Sequence, residues 1–262
     1  MANKQELGFI DTHLRALSFI FKHHLYYFFL FPVVLFLLIS FFGFELGSLG
    51  MDWIQSSIDT WVGSFTDSWI VQWIVKGIVW VLTTFILVFF IAMFGGFIVL
   101  VIMSPVLSIL SEKTETIITG KDYPFSIMQI IKDVFRGLLL TLRNMGIEFL
   151  VIFLLMIFSI VPVLGFVIGL VSPVVIFMVS SYFYGFSNFY FSLERRKMSI
   201  SSSVTYARKH KWKVMGNGAI FYGFMLIPFY GIFIASFVSI VSVVAATITV
   251  CDLEKESTIL PT

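Results

Sequence analysis

The side chains able to do acid–base or metal chemistry are few. The histidines are His13, His23, His24 and His210, and Cys251 is the single cysteine. A metal centre needs several such ligands converging, and a disulfide or thiolate cluster needs a second cysteine. No HExxH, CxxC, GxSxG or GxxxxGK[ST] pattern occurs. The expectation is therefore no catalytic residue, no metal, no cofactor and no enzyme. What remains are groups that recognise anions or headgroups. His23, His24, Tyr26 and Tyr27 crowd together ahead of the first long apolar run. They read either as a ligand site or as an interfacial belt, where amphipathic rings sit at headgroup depth. Lys132, Arg136 and Arg143 are spaced by four and then seven residues, which sets them on one face of a helix. That face either draws anions toward a pore or meets anionic lipid headgroups. The basic stretch from Arg195 to Lys213 carries the same two readings.

Composition dictates what must position these groups. Apolar residues make up 59% of the 262 residues and charged residues 12%, against about 25% in a soluble domain. Such a chain lacks the polar surface to stay in water. The net charge of +2 gives no reason to invoke nucleic acid. Leu25 to Phe44 is a charge-free run of twenty residues, about 30 Å of helix and so one hydrocarbon thickness. Its proline, Pro32, lies in the first turns, where it costs least. Gly77 to Leu110 is a second charge-free run, long enough to span with tilt or to extend past the membrane. Between them, Glu45 to Val75 carries Asp52, Asp59 and Asp67, no lysine or arginine, and Trp53, Trp61, Trp69 and Trp73. Tryptophans gather at membrane–water interfaces, so this reads as an amphipathic or helix-extending segment at the outer surface. Glu112 to Arg143, mixed in charge, reads as an amphipathic helix on the membrane surface or against the protein.

Two apolar stretches, 149–191 and 219–250, are broken in the same way. Val161-Pro162-Val163-Leu164-Gly165 and Ile227-Pro228-Phe229-Tyr230-Gly231 both read apolar-Pro-x-x-Gly, with prolines and glycines each 66 residues apart. Proline removes a backbone donor and disfavours helix before it, and glycine permits the turn. The arm Phe149 to Val161 is thirteen residues, about 20 Å of helix, too short for a hydrocarbon core of about 30 Å. Each repeat therefore reads as a re-entrant hairpin with its tip at Pro162 and Gly165 or at Pro228 and Gly231. The alternative is a kinked full-length span. A turn at that depth must be shielded, which favours an oligomer or a tightly packed bundle. Gly165 and Gly169, and the serines Ser236, Ser239 and Ser242, read as close-packing positions. Gly216 and Gly218 read as a turn, or as backbone N–H groups offered to an anion. Lysine and arginine fall in every polar segment between the apolar runs except the acidic loop. The positive-inside rule then places both termini in the cytoplasm. The domain reading is one membrane unit: a cytoplasmic segment 1–24, spans 25–44 and 77–110, hairpins 149–191 and 219–250, and a tail 251–262.

Several short motifs, in order, resemble one family. They are Ser104-Pro105-Val106-Leu107, Gly120, Ile131-Lys132-Asp133-Val134, Ile160-Val161-Pro162-Val163-Leu164-Gly165, Arg208 to Gly218, Ile227-Pro228 and Val244-Ala245-Ala246-Thr247. The chain resembles the bacterial CysZ-type sulfate permeases, within the wider etoposide-induced membrane protein family, from about Leu14 to Asp252. The resemblance implies an all-α integral membrane fold of two long spanning helices and two half-membrane hairpins. It also implies sulfate uptake at the bacterial inner membrane, and a homo-oligomer. In those permeases a Gly-x-Arg-Arg stretch at the start of the first long helix holds the oxyanion. The matching residues here are His24-Leu25-Tyr26-Tyr27, so glycine has become His24 and the arginines Tyr26 and Tyr27. Asn188 stands near the place of an acidic residue that the family carries before its basic loop.

The functional expectation is transport of a small inorganic oxyanion such as sulfate. With no nucleotide motif, and no acid read inside the apolar runs, flux is expected to be passive. The ligand residues expected are His24, Tyr26, Tyr27, Lys132, Arg136 and Arg143, and the partners are the lipid bilayer and the anion. The lost arginine pair supports a second reading: a non-transporting membrane scaffold or lipid-interacting protein of the same fold.

Overall fold

The computed structural model describes residues 8–64, 68–121, 127–161, 163–228 and 230–259. At 39–40, 42–48, 51, 62, 87–94, 127, 129–134, 164 and 257–259 only the helical backbone is described. The described residues form helices and no strand: α1 (Phe9–Lys22), a 3-10 turn (Leu25–Phe29), α2 (Leu30–Gly63), α3 (Trp69–Thr119), α4 (Ile127–Ser159), α5 (Leu164–Arg195), α6 (Ile200–Lys209), α7 (Lys211–Met225) and α8 (Gly231–Ile259). Among the described residues, five segments are long and apolar enough to cross a membrane: Trp69–Ile86, Gly95–Thr119, Phe135–Ser159, Gly165–Arg195 and Gly231–Glu256. The protein is thus an all-helical membrane protein.

The chain divides into two compact units. One holds residues 31–95, the first long helix and the start of the second. The acidic segment extends these helices. α2 runs 34 residues, about 51 Å at 1.5 Å per residue, beyond the hydrocarbon thickness. Trp53, Trp61, Trp69, Trp73 and Trp80 are all exposed, and Asp59 pairs with Lys76 at 2.7 Å. Both partners of that pair are well hydrated, so it contributes little.

The other unit holds residues 1–30 and 96–262. Its centre is the second half of α5, where nearly every side chain from Ser180 to Glu194 is buried. Phe186, Phe189, Tyr190 and Leu193 pack with Leu140 of α4, Ala207 of α6, Val214 of α7 and Ala246 and Val250 of α8. Small residues make this possible. Gly185 of α5 and Gly218 of α7 let two backbones touch: a Cβ on Gly218 would lie 1.8 Å from the Ser181 carbonyl oxygen. In lipid, where apolar side chains are as comfortable outside as inside, such close backbone approach supplies much of the helix–helix attraction. Gly216 and Gly218 are therefore interior residues of α7 at a helix crossing, not a turn and not a helix start.

Three segments differ from the sequence reading. Glu112 to Arg143 is not a separate surface helix. Glu112 to Thr119 ends α3, and Ile127 onward opens α4. α4 continues without a break into the apolar arm, so that arm is 33 residues rather than thirteen. Helix propagates once begun, and nothing between Arg143 and Phe149 stops it. Only the second hairpin retains a short arm: α7 has 15 residues, about 22 Å. Residues 8–24 are not a plain polar leader. They form α1, with His13, Ala16 and Ile20 buried and Phe9, Ile10, Leu14, Leu17 and Phe21 exposed on other faces.

The two breaks share a closing hydrogen bond among their described residues. Gly165 N–H donates to the Val161 carbonyl at 2.7 Å, and Gly231 N–H to the Ile227 carbonyl at 2.8 Å. A Cβ on Gly165 would meet the Ser159 carbonyl oxygen at 2.0 Å, and one on Gly231 the Met225 carbonyl oxygen at 2.0 Å. Pro228 lies in the second turn; Pro162 lies outside the described residues. Gly165→Ala and Gly231→Ala are expected to lower the thermal unfolding midpoint in detergent. Gly169→Ala, with nothing within 4 Å, is expected to leave it unchanged or raise it. A Gly165→Ala variant as stable as the parent would remove the glycine's steric role.

Candidate functional site

α1 stops at Lys22, and the chain bends by 108° into the helix that follows. The bend is made at His24, whose φ of 57° lies in the left-handed region. That conformation favours glycine, although histidine tolerates it better than most residues. It is also the position that the CysZ-type pattern gives to glycine, so the substitution retains the bend while adding an imidazole. After the bend, Leu25 and Phe28 are buried, and Tyr26 and Tyr27 point outward, half exposed. Tyr26 stacks on Phe21, and His24 meets the Tyr26 ring edge-on.

The Tyr27 hydroxyl accepts a hydrogen bond from Lys113 Nζ of α3 at 2.7 Å. The ammonium is 5.3 Å from the ring centroid, close to the hydroxyl distance plus the ring's own reach. It therefore lies nearly in line with the C–O bond and acts as a donor rather than as a cation over the π face. Lys113 is exposed and retains two further N–H donors. Lys113 and Tyr27 are thus joined by a hydrogen bond, and His24 and Tyr26 by a separate ring contact. Lys113 was not among the residues singled out from sequence. Its signal is weak there, because a lysine at the end of an apolar run ordinarily reads as a topology marker.

Of the three cations set on one helical face, Arg136 and Arg143 have described side chains, and their surroundings differ. Arg136 donates to the Met198 carbonyl at 2.7 Å and lies 3.8 Å from Glu194, which ties α4 to the end of α5. Arg143 is exposed, with a marginal 3.4 Å contact to neighbouring Asn144. The Lys132 side chain lies outside the described residues. Arg136, bonded to the α5 end, is not assembled with Tyr27 and Lys113.

A second constellation joins α3, α5 and α8. Glu115 is buried, and its Oε2 accepts from Arg195 Nε at 3.1 Å, Arg195 Nη2 at 2.9 Å and Arg196 Nη1 at 3.1 Å. Arg195 also donates to Ser111 Oγ at 2.7 Å, and Ser111 bonds Thr247 of α8 at 2.7 Å. Arg196 reaches Ser192 and forms a two-point pair with Glu254. Burial works against the Arg196 charge, but the Glu254 bond and the charges of Glu115 and Glu254 outweigh it, so the guanidinium is held more firmly protonated than usual. Burial, then the Glu254 charge, pushes the nearby Tyr206 phenol up to about 12. The guanidinium N–H groups here hold an oxyanion, and that oxyanion is the protein's own carboxylate. From sequence these arginines read as topology markers, or as groups that meet anions or lipid headgroups, and not as partners of Glu115, which is 80 residues away from Arg195.

Buried polar links continue across the unit. Asn188 donates to Asn217 at 2.9 Å, and Asn217 to the Ser242 carbonyl at 2.8 Å. His13 shares a 3.3 Å contact with Ser242 Oγ. Asn188 is therefore part of an α5–α7–α8 clamp. Burial first, and then Lys209 and Lys213, lower the His210 pKa, so this imidazole adds no charge to the basic stretch at neutral pH. Among the described residues no group of three or more metal-ligating side chains is gathered.

Glu148 corrects the expectation of apolar runs without an acid. It is 2% exposed and sits well inside the candidate span Phe135–Ser159.

No curated protein matches the chain. The family described as sulfate transporter CysZ/etoposide-induced protein 2.4 matches residues 12–236. That stretch takes in the bend at His24, Glu115 with Arg195 and Arg196, and the first hairpin turn, and it ends just past the second, so the chain belongs to the sulfate transporter CysZ/etoposide-induced protein 2.4 family.

Proposed function

We propose that this protein carries sulfate or a related small oxyanion across the bacterial cytoplasmic membrane, without nucleotide hydrolysis, and that the anion enters at the bend between α1 and α2. The observation that supports this most is the Lys113 ammonium against Tyr27. It brings a cation from α3 to the place where the family pattern carries arginines. A lysine offers a compact charge in place of a two-pronged guanidinium, so the site favours anions less selectively by shape. In this reading α2 and α3 are the long spans. The two hairpins return to the side they left, both termini are cytoplasmic, and copies of the chain assemble around the shielded turns.

The test is uptake of radiolabelled sulfate into liposomes holding the purified protein, with protein-free vesicles as baseline. Uptake above baseline, reduced by unlabelled sulfate, is the expected result. A hydrogen bond to a charged group is worth about 1.5–3 kcal/mol. At about 1.4 kcal/mol per tenfold, Lys113→Gln is expected to weaken half-saturation roughly tenfold or more. Folded protein with no uptake would sink the transport reading and favour the non-transporting scaffold, for which the loss of both arginines at Tyr26 and Tyr27 is the specific support.

A further inference from the structure

Glu148 stands apart from every other carboxylate described in the bundle. It lies on α4, about three turns from the nearer end of the candidate span Phe135–Ser159, and is 2% exposed. One of its oxygens accepts a hydrogen bond from Ser180 of α5, and the other, Oε2, is buried with no hydrogen-bond partner among the described residues. Two phenols face it within electrostatic reach, Tyr184 from α5 and Tyr222 from α7. Their rings stack on one another at 5.5 Å, and Tyr184 is fully buried against Phe97 and Gly96 of α3. Among the described residues, no lysine, arginine or histidine is among the groups acting on Glu148. Glu115, by contrast, has two guanidinium partners.

An isolated carboxylate in a low-dielectric interior is strongly disfavoured, and a protonated carboxyl relieves that cost while supplying a donor on the unpartnered oxygen. Ionisable groups inside membrane proteins are also concentrated at proton and substrate pathways. We propose that Glu148, with Ser180, Tyr184 and Tyr222, forms a proton-binding site inside the bundle, and that occupancy of this site sets the packing of α4 against α5 and α7 and hence anion flux. The step is a single dissociation: the Oε2–H bond breaks, the proton leaves to water, and the electron pair remains on the carboxylate. The second half of the proposal rests on the transport reading; the first does not.

The two halves are tested separately. Infrared difference spectra of the protein in lipid, recorded against Glu148→Gln, are expected to show the C=O band of a protonated carboxylic acid at neutral pH in the parent alone. Ser180→Ala is expected to move the pH at which that band is lost. Absence of the band would overturn the proton site whatever the transport assay reports. Sulfate uptake measured across pH is then expected to vary with pH in the parent and to be flat in Glu148→Gln, which retains the side chain's shape. Parallel pH profiles would overturn the link to flux while leaving the infrared result standing. If neither parent nor variant takes up sulfate, the transport reading and the link to flux fall together, and the proton site is still decided by its band.

Discussion

Glu115→Ala lowers the stability of the folded protein by about 3–5 kcal/mol, the cost of removing one partner from a buried charge cluster. The magnitude follows from what is left behind. The Arg195 side chain is 9% exposed and Arg196 16%, and both direct N–H groups at the same carboxylate oxygen. Deleting that oxygen leaves Arg195 with Ser111 and Arg196 with Ser192 and Glu254. Two like charges then stand together in a poorly hydrated place. Glu115→Gln retains an acceptor but no charge and falls between the extremes. Arg195→Leu in the Glu115→Ala background recovers part of the loss, because a buried pair replaced by apolar groups is far less damaging than a pair with one member deleted. Thermal unfolding in detergent for the two single variants and the double gives the coupling directly. Additive losses would show that Glu115 and Arg195 do not act as a pair.

This cluster shows where sequence reading stops. The apolar runs were legible as helices because length and hydropathy are local properties, and the two Pro-x-x-Gly breaks were legible because a turn's chemistry is local too. Gly165 and Gly231 duly occupy equivalent positions in equivalent turns. The bend at His24 was not read from the sequence, although the family pattern puts a glycine at this position, where the backbone is left-handed. Partnership was not legible. Glu115 follows a long apolar run and resembles the first residue of a polar loop, yet it is buried because α5 ends beside it with two arginines. Glu148 looked like the end of a charged stretch, yet α4 is continuous through it and Ser180 faces it from the next helix. Lys113 looked like a topology marker until Tyr27 appeared 2.7 Å away. α1 was missed for a different reason. Its apolar residues Ile10, Leu14, Leu17 and Phe21 recur at three- and four-residue spacing, but they are diluted by charged neighbours that lower the average hydropathy. Periodicity, rather than mean hydropathy, carries that signal.

Gly218→Ala brings the closest clash of any methyl added at the described glycines. The new Cβ would lie 1.8 Å from the Ser181 carbonyl oxygen and 2.4 Å from the Gly185 nitrogen, and the obstructing atoms are backbone. No rotamer change relieves such a clash; α5 and α7 must separate. Gly185→Ala meets the same crossing from the other side, with its Cβ 1.9 Å from the Val214 carbonyl oxygen. Separation weakens what the crossing holds together: the Asn188–Asn217 hydrogen bond at 2.9 Å and the stacking of Tyr184 on Phe221 and Tyr222. It also draws Tyr222 away from Glu148, so the polar site in the bundle is disturbed by a residue that does not touch it. Ordinary overpacking costs about 1–3 kcal/mol, and these positions are expected to exceed it, since there the whole helix must move. The gain of about 1 kcal/mol that alanine brings to a helix interior works in the opposite direction and is outweighed. Gly146→Ala and Gly223→Ala are the controls, because a Cβ at either meets nothing within 4 Å. Chromatographic homogeneity and unfolding midpoints in detergent should separate the two pairs, with Gly218→Ala and Gly185→Ala aggregated or strongly destabilised and the controls at or above the parent. A well-behaved Gly218→Ala protein with the parent's midpoint would mean that α5 and α7 do not meet backbone to backbone. The crossing would then not be what holds Tyr184 and Tyr222 at Glu148.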